Sequence, residues 1–445
     1  MTLPWHFRTL ILTSTLLVIA CSEQRAQQGI MVDSSALSEP RATLDPTGIL
    51  DLRGGTSAWR VRFAPFELPL PGAYKIGPAL DARTLQVALL EGVATASRPV
   101  ERPLREGKLE LARCTEQGIQ GMLEYANEQT KAITRVKFDV VPVLAPARPA
   151  VVVDAKPVPT FAPPKDQPDP EDLVFCAFGC QGTGMPGQRA VAESIGKLAA
   201  TGPLDFVILL GDAFLPRGVD SIGDPQWRSK FETMYDAKRL PMNFYAVAGP
   251  AEWAGRYDMV EGYGKSKPRF LLKQAPGANF TMQSHGKTIE FFPMDTHKMT
   301  TDLKDVLSRT NLRSVTQELA SSKADWKIAF GHTPIRAAGA AAGSARNEAL
   351  STRFGHRLGE FKVDVYIAAD ERVLQLFRPI NGTTHVTSGG GGGPEYADST
   401  KWTEDTVFAA TGGGFTWFRF DGKVLEISFR DSYGKVLYVH QLKKE

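Results

Sequence analysis

The chain has 445 residues, enough for more than one hydrophobic core, and its apolar (42%) and charged (23%) fractions are those of ordinary globular protein. A formal charge of +3, with no Lys/Arg run and no basic stretch interleaved with aromatics, offers no nucleic-acid surface. No segment reaches the roughly 20 apolar residues that a helix needs to span a bilayer.

In chain order, Arg8 precedes a short apolar run at residues 10–20, which reads as a signal peptide over residues 1–20. The run ends in Val18-Ile19-Ala20-Cys21, which resembles a bacterial lipobox, so Cys21 is the expected lipidation site. Two or three acyl chains there would make the membrane a stable partner. Ser22, a residue other than Asp after the cysteine, points to the outer membrane. Residues 21–48 are small and polar without periodicity, as in a flexible tether. Residues 49–143 hold short β-prone runs (58–63, 85–90, 108–112, 121–125 and 133–143) between turns, which predicts a small β-rich sandwich domain. Prolines from Pro146 to Pro170 make residues 144–171 a stiff, extended linker.

Residues 172–445 alternate strand patterns (173–178, 206–210, 244–248, 326–330, 363–368) with helix patterns (188–200, 227–235, 314–321, 346–361). Late strands at 415–420, 424–430 and 436–442 close a layered α/β domain. Besides Cys21 there are Cys114, Cys176 and Cys180, too few and too odd for a disulfide framework. Cys114 reads as a buried small hydrophobe. Cys176 and Cys180 would stand about 13 Å apart on an extended strand, beyond the roughly 7 Å bridging limit.

Five strands end in short polar or glycine-bearing loops: Gly179-Cys180-Gln181-Gly182, Gly211-Asp212-Ala213-Phe214-Leu215, Gly249-Pro250-Ala251-Glu252, Gly331-His332-Thr333-Pro334 and Ala368-Ala369-Asp370-Glu371. Ligand sites of α/β sheets gather at the carboxyl ends of strands, so these loops point to one shared cleft. Their order and spacing resemble the calcineurin-like metallophosphoesterases, in particular the purple (tartrate-resistant) acid phosphatase branch. Asp325-Trp326-Lys327-Ile328 before the fourth loop, Val363-Asp364-Val365-Tyr366 before the fifth, Leu374-Gln375 after it and the turn Thr387-Ser388-Gly389-Gly390 extend the likeness. It implies a layered metallophosphoesterase-type β-sandwich flanked by helices, preceded by the small β-rich domain.

In that family two metal ions bind the phosphate, activate water and stabilise the in-line displacement. Here the resemblance puts Cys180 at an aspartate ligand, Ala213 at the usual asparagine of the second loop, Leu215 at the tyrosine and Pro250 at an asparagine ligand. It puts Ala251 at the proton-donating histidine, and Ala369 and Glu371 at the two histidines of the last loop. Only Asp212 and His332 keep the family's metal ligands. Losing one supporting residue costs about 10- to 100-fold in metal affinity or activity, and a missing general acid about 10²- to 10⁴-fold. The expectation is therefore a cell-envelope pseudoenzyme with no cofactor and no catalytic residue, using the old scaffold to bind a protein or small molecule.

Two other readings remain open. Cys180, Asp212, His332 and Glu371 could hold one Zn, Fe or Mn ion in a residual or rebuilt phosphoesterase acting at the periplasm or cell surface. Otherwise Asp212 accepts hydrogen bonds from His332, and Cys180, Leu215, Pro250, Ala251, Ala369 and Glu371 complete a partly apolar pocket. A purely structural lipoprotein would have that cleft filled by side chains. Gly389–Gly393 lacks the Lys-Ser/Thr of a phosphate loop. His285, His297, His356, His385 and His440 read as surface or packing residues.

Overall fold

The computed structural model describes residues 169–444, apart from 274–276, 302–305, 340 and 394–402, together with strand-bearing segments between residues 32 and 155. The signal peptide and Cys21 lie outside the described residues. Among the described residues no helix is long and apolar enough to cross a membrane. The chain divides into two compact units, one ending near Val143 and one built mainly of Leu144–Glu445.

The first unit, expected to be a small β-rich sandwich, is an assembly of 11 strands, ten in one continuous order and Val100–Pro103 paired off it with Thr84–Glu91. Alternate positions face its core: Leu109, Leu123 and Val136 are cross-strand neighbours and all buried. This is the period of 2 that puts every second side chain on one face. Within the stretch expected to be a tether, Val32–Ser34 pairs in parallel with Ile133–Val140, and Arg41–Asp45 is a second strand. Backbone hydrogen bonding to an available edge orders these polar segments without a hydrophobic pattern of their own.

The second unit faces two sheets together. One runs in the order Phe270–Leu272, Asn243–Ala246, Phe206–Leu209, Leu173–Phe178, Gly414–Phe420, Val424–Asp431, Val436–Lys443. Its first four strands are parallel and the last three form an antiparallel meander. The other runs Val151–Ala155, Thr406–Thr411, Val373–Ile380, Thr383–Ser388, Val365–Ala368, Trp326–Phe330, Lys287–Pro293, Phe280–Ser284. Its strand Val151–Ala155 lies inside the expected proline linker and pairs with Thr406–Thr411. The run Val151-Val152-Val153 is β-branched and free of proline, so that part of the linker takes a sheet edge.

Phe175 stacks between Phe206 (5.0 Å) and Phe418 (4.6 Å) and meets Phe291 of the opposite sheet edge-on at 5.3 Å. Such contacts add about 0.5–1.5 kcal/mol each beyond area burial. Leu173–Phe178 is buried on both faces, with Phe175 and Ala177 in this inter-sheet core and Cys176 and Phe178 under the helices. That explains its unbroken apolar run. Cys176 thus faces away from Cys180, which sits in the inter-sheet core, and both thiols are free. The helix expected over 346–361 is instead Ala345–Leu350, a wider turn at Ser351–Gly355 and His356–Glu360.

The strand Thr383–Ser388 buries His385, whose pKa is pushed down to about 4 by burial and then by the Arg336 charge. The folded state keeps this imidazole neutral while the unfolded chain protonates it near pH 6.5. Its contribution is therefore present above about pH 6.5 and lost as pH falls toward 4, up to about 3 kcal/mol. Urea titrations of the wild type and His385→Gln at pH 7 and pH 4.5 check this. The wild type should lose more stability than the variant, and equal losses would show that His385 does not carry the effect.

Candidate metal centre

Parallel strands from both sheets end at the same rim, and the site residues stand just beyond them. Cys180, Asp212 and Asp370 each follow a strand and each adopts a left-handed backbone, with φ of 56°, 56° and 58°. Non-glycine residues rarely take this conformation, and it collects at functional sites. It turns each chain sharply back into the centre. Gly211, at φ 90°, must be glycine: a Cβ would meet His332 Nδ1 at 2.6 Å and Gly249 N at 2.7 Å. The loops are tied together by Cys180 N–H to Gly211 O (3.0 Å) and Ala369 N–H to His332 O (2.9 Å). Thr296 Oγ1 accepts from the His332 and Thr333 N–H groups.

His332 is fully buried. Its Nδ1 lies 2.8 Å from Leu210 O and donates to it, which turns Nε2 to the centre. Nε2 is 3.7 Å from Asp212 Oδ2 and 3.4 Å from Asp370 Oδ1 and makes no hydrogen bond. Asp370 Oδ1 also pairs with Arg346 Nη2 at 3.0 Å, while its Oδ2 has no partner. Burial opposes a charge on His332, but the Asp212 and Asp370 carboxylates outweigh it and raise the pKa to about 9. Burial works against the Asp370 charge as well, and His332, Arg346 and Arg372 overcome it to hold that carboxyl low. Ligand atoms of Cys180, Asp212 and His332 all lie within 4.8 Å of one another. Burial, reinforced by Asp212, pushes the Cys180 thiol well up.

Glu252 organises the rim from below. Its Oε1 accepts from Ala213 N–H (2.8 Å) and Phe214 N–H (3.1 Å), its Oε2 from Asp212 N–H (2.9 Å) and Gly249 N–H (2.7 Å). In return Asp212 Oδ1 accepts from Ala251 N–H at 3.0 Å. The left-handed turn at Gly211 and Asp212 points successive N–H groups inward as an anion nest, and a carboxylate of the chain itself fills it. Burial, then Asp212, push the Glu252 pKa up to about 7.

Of the expected ligands, the structure brings together Cys180, Asp212 and His332 but not Glu371. Glu371 is buried, and its Oε1 accepts from Gly339 and Ala341 N–H groups at 2.9 and 2.8 Å. The left-handed turn at Asp370 explains the exchange: it sends Asp370 into the centre and Glu371 to the adjoining loop. Asp370 and Glu252 are the site residues that the sequence reading missed. For Glu252 a signal was present, because Gly249-Pro250-Ala251-Glu252 spells a helix start with an acid at its third position, from which Glu252 reaches back to accept from the Gly249 N–H. Leu215, Ala251 and Ala369 are buried. Pro250 opens the short helix Pro250–Ala254. The glycine run packs backbone on backbone: a Cβ on Gly389 would stand 1.6 Å from Glu371 O and one on Gly392 2.2 Å from Gln188 N.

A pair of metal ions does not fit these residues. Leu215, Pro250, Ala251 and Ala369 carry no ligand atom in their side chains, and Glu371, its Oε1 held by the Gly339 and Ala341 N–H groups, does not join the cluster of Cys180, Asp212 and His332. The donors that do converge make one cluster of thiol, carboxylate and imidazole.

No family model matches the chain. It is 26% identical over 292 residues to purple acid phosphatase 7 of Arabidopsis thaliana, covering 61% of this chain and 86% of that protein. It is 24% identical over 306 residues to tartrate-resistant acid phosphatase type 5 of Homo sapiens, covering 61% and 90%. Among solved structures, GAP50, the anchor in the inner membrane complex of Plasmodium, superposes with a TM-score of 0.55 at 21% identity, covering 62% of this chain and 89% of that one. The second unit of this chain thus has the metallophosphoesterase fold and is similar in sequence to the purple acid phosphatases.

Proposed function

We propose that the protein is a lipid-anchored cell-envelope protein whose purple acid phosphatase-like domain binds or scaffolds and does not hydrolyse phosphate esters. One observation carries this reading: the side chains at Leu215, Pro250, Ala251 and Ala369 have nothing with which to hold a second metal ion or protonate a leaving group. Without both, the two-ion displacement has neither its electrostatic clamp nor its acid. Anchoring rests on the lipobox-like Val18-Ile19-Ala20-Cys21. A neighbour of the same fold, GAP50, is described as an anchor, which accords with a non-hydrolytic use of the scaffold.

The test is turnover of p-nitrophenyl phosphate by protein supplied with Fe, Zn or Mn, from pH 5 to 8. The expected rate equals that of buffer with the same metal. Turnover that saturates with substrate and disappears in Asp212→Asn would replace this reading with a single-ion phosphoesterase, which the convergence of Cys180, Asp212 and His332 would favour. Cys21→Ser should move the protein from the membrane fraction to the soluble one, and retention in the membrane would remove the lipid anchor.

A further inference from the structure

We infer that the remodelled centre holds one zinc-class ion on Cys180 Sγ, Asp212 and His332 Nε2, with Asp370 beside it as the fourth donor, where relatives of this fold would need two ions. This goes beyond the non-hydrolytic reading and does not depend on it. The three ligand atoms come from loops of both sheets and converge within 4.8 Å. A tetrahedral zinc site sets its ligand atoms about 3.3–3.7 Å apart, from bonds of about 2.0–2.3 Å, so a small side-chain contraction closes the set.

Three further observations point at a ligand for this cluster. His332 is fully buried, and its Nε2 makes no well-formed hydrogen bond but faces the Asp212 and Asp370 carboxylates at 3.7 and 3.4 Å. Its Nδ1–H is fixed on Leu210 O, the backbone anchor that metal-bound histidines use to aim the other nitrogen. Asp370 Oδ2 is also buried and unpartnered. Asp212 and Asp370 keep 12% and 10% of their side chains exposed, which leaves an entry side. A thiolate, an imidazole and carboxylates select a borderline-soft tetrahedral ion, whereas oxygen-rich sets select harder ones. The buried ion would tie the strand ends of the two sheets together, a structural role.

Titration of the chelator-treated, desalted full-length protein with Co²⁺ under reducing conditions tests this. The expected result is a near-ultraviolet thiolate-to-cobalt charge-transfer band that saturates at one equivalent and is displaced by Zn²⁺. Cys180→Ser should abolish the band and weaken Zn²⁺ binding by more than about 100-fold, beyond the cost of losing a supporting residue. Asp212→Asn keeps an oxygen for the Ala251 N–H and should weaken binding without removing the band, which guards against a folding defect in Cys180→Ser. No bound ion, a band that survives Cys180→Ser, or two ions per chain would each overturn the inference. One ion without phosphatase turnover leaves both readings standing. Turnover with one ion overturns only the non-hydrolytic reading, and neither ion nor turnover overturns only this one.

Discussion

Replacing Glu252 with Ala is expected to remove about 4–6 kcal/mol of stability, read as a lowered urea midpoint at unchanged slope. The reason is the number of donors left without a partner. Four buried N–H groups, on Asp212, Ala213, Phe214 and Gly249, converge on this one carboxylate. A buried donor left unmade costs about 1–3 kcal/mol, and water entering the emptied space recovers part of that. The loss would exceed what most single substitutions cost. Glu252→Gln separates charge from shape. It keeps one acceptor oxygen but turns an NH₂ toward two of the donors, so about half the loss is expected, roughly 2–3 kcal/mol. A Glu252→Gln protein as stable as the wild type would show that the nest does not need the second oxygen.

The second large effect falls on His332. Measured in the presence of chelator, His332→Ala should cost about 3–5 kcal/mol, as for other buried ion pairs that lose one partner. The substitution removes the cation that faces Asp212 and Asp370 and leaves the Leu210 carbonyl without its donor. Arg346 still reaches Asp370, but nothing equivalent is seen at Asp212 Oδ2. Adding Asp370→Asn to His332→Ala should therefore restore part of the loss, because one of two adjacent buried carboxylates becomes neutral. A coupling of about 0.5–3 kcal/mol is expected for residues in such contact. Strict additivity in a double-mutant cycle would show that the His332–Asp370 approach of 3.4 Å carries no energy.

Glu252 also shows why the sequence reading of the site was incomplete. Glu252 does not stand at any of the motif positions that would ligate a metal. Its role is to accept N–H groups from a loop about 40 residues earlier, which sequence spacing does not display. Asp370 was overlooked for a related reason. Strand alternation continued through Ala368-Ala369-Asp370-Glu371 makes Ala369 and Glu371 face together. The left-handed φ of 58° at Asp370 breaks that alternation and exchanges the two acids. The tether and linker readings departed for a different reason. Composition reports whether a segment can bury a core by itself, and Val32–Ser34 and Val151–Ala155 need only a neighbouring strand edge to be ordered.

What the amino-acid sequence determined by itself is the layered α/β plan of the second unit and the positions of its five loops. Unbroken apolar runs such as 173–178 can be satisfied only by strands buried on both faces, and glycine-bearing breaks mark where those strands end. The replacements at Leu215, Pro250, Ala251 and Ala369 are equally legible, since a side chain without a donor cannot hold a metal in any conformation. Only the tertiary structure decided which surviving polar groups meet. Cys180, Asp212 and His332 come from loops of two different sheets, and their convergence depends on left-handed turns and backbone ties between loops. These are long-range contacts whose geometry is set by packing, so the same residue types could have formed an empty hydrogen-bonded pocket or a tight single-ion centre.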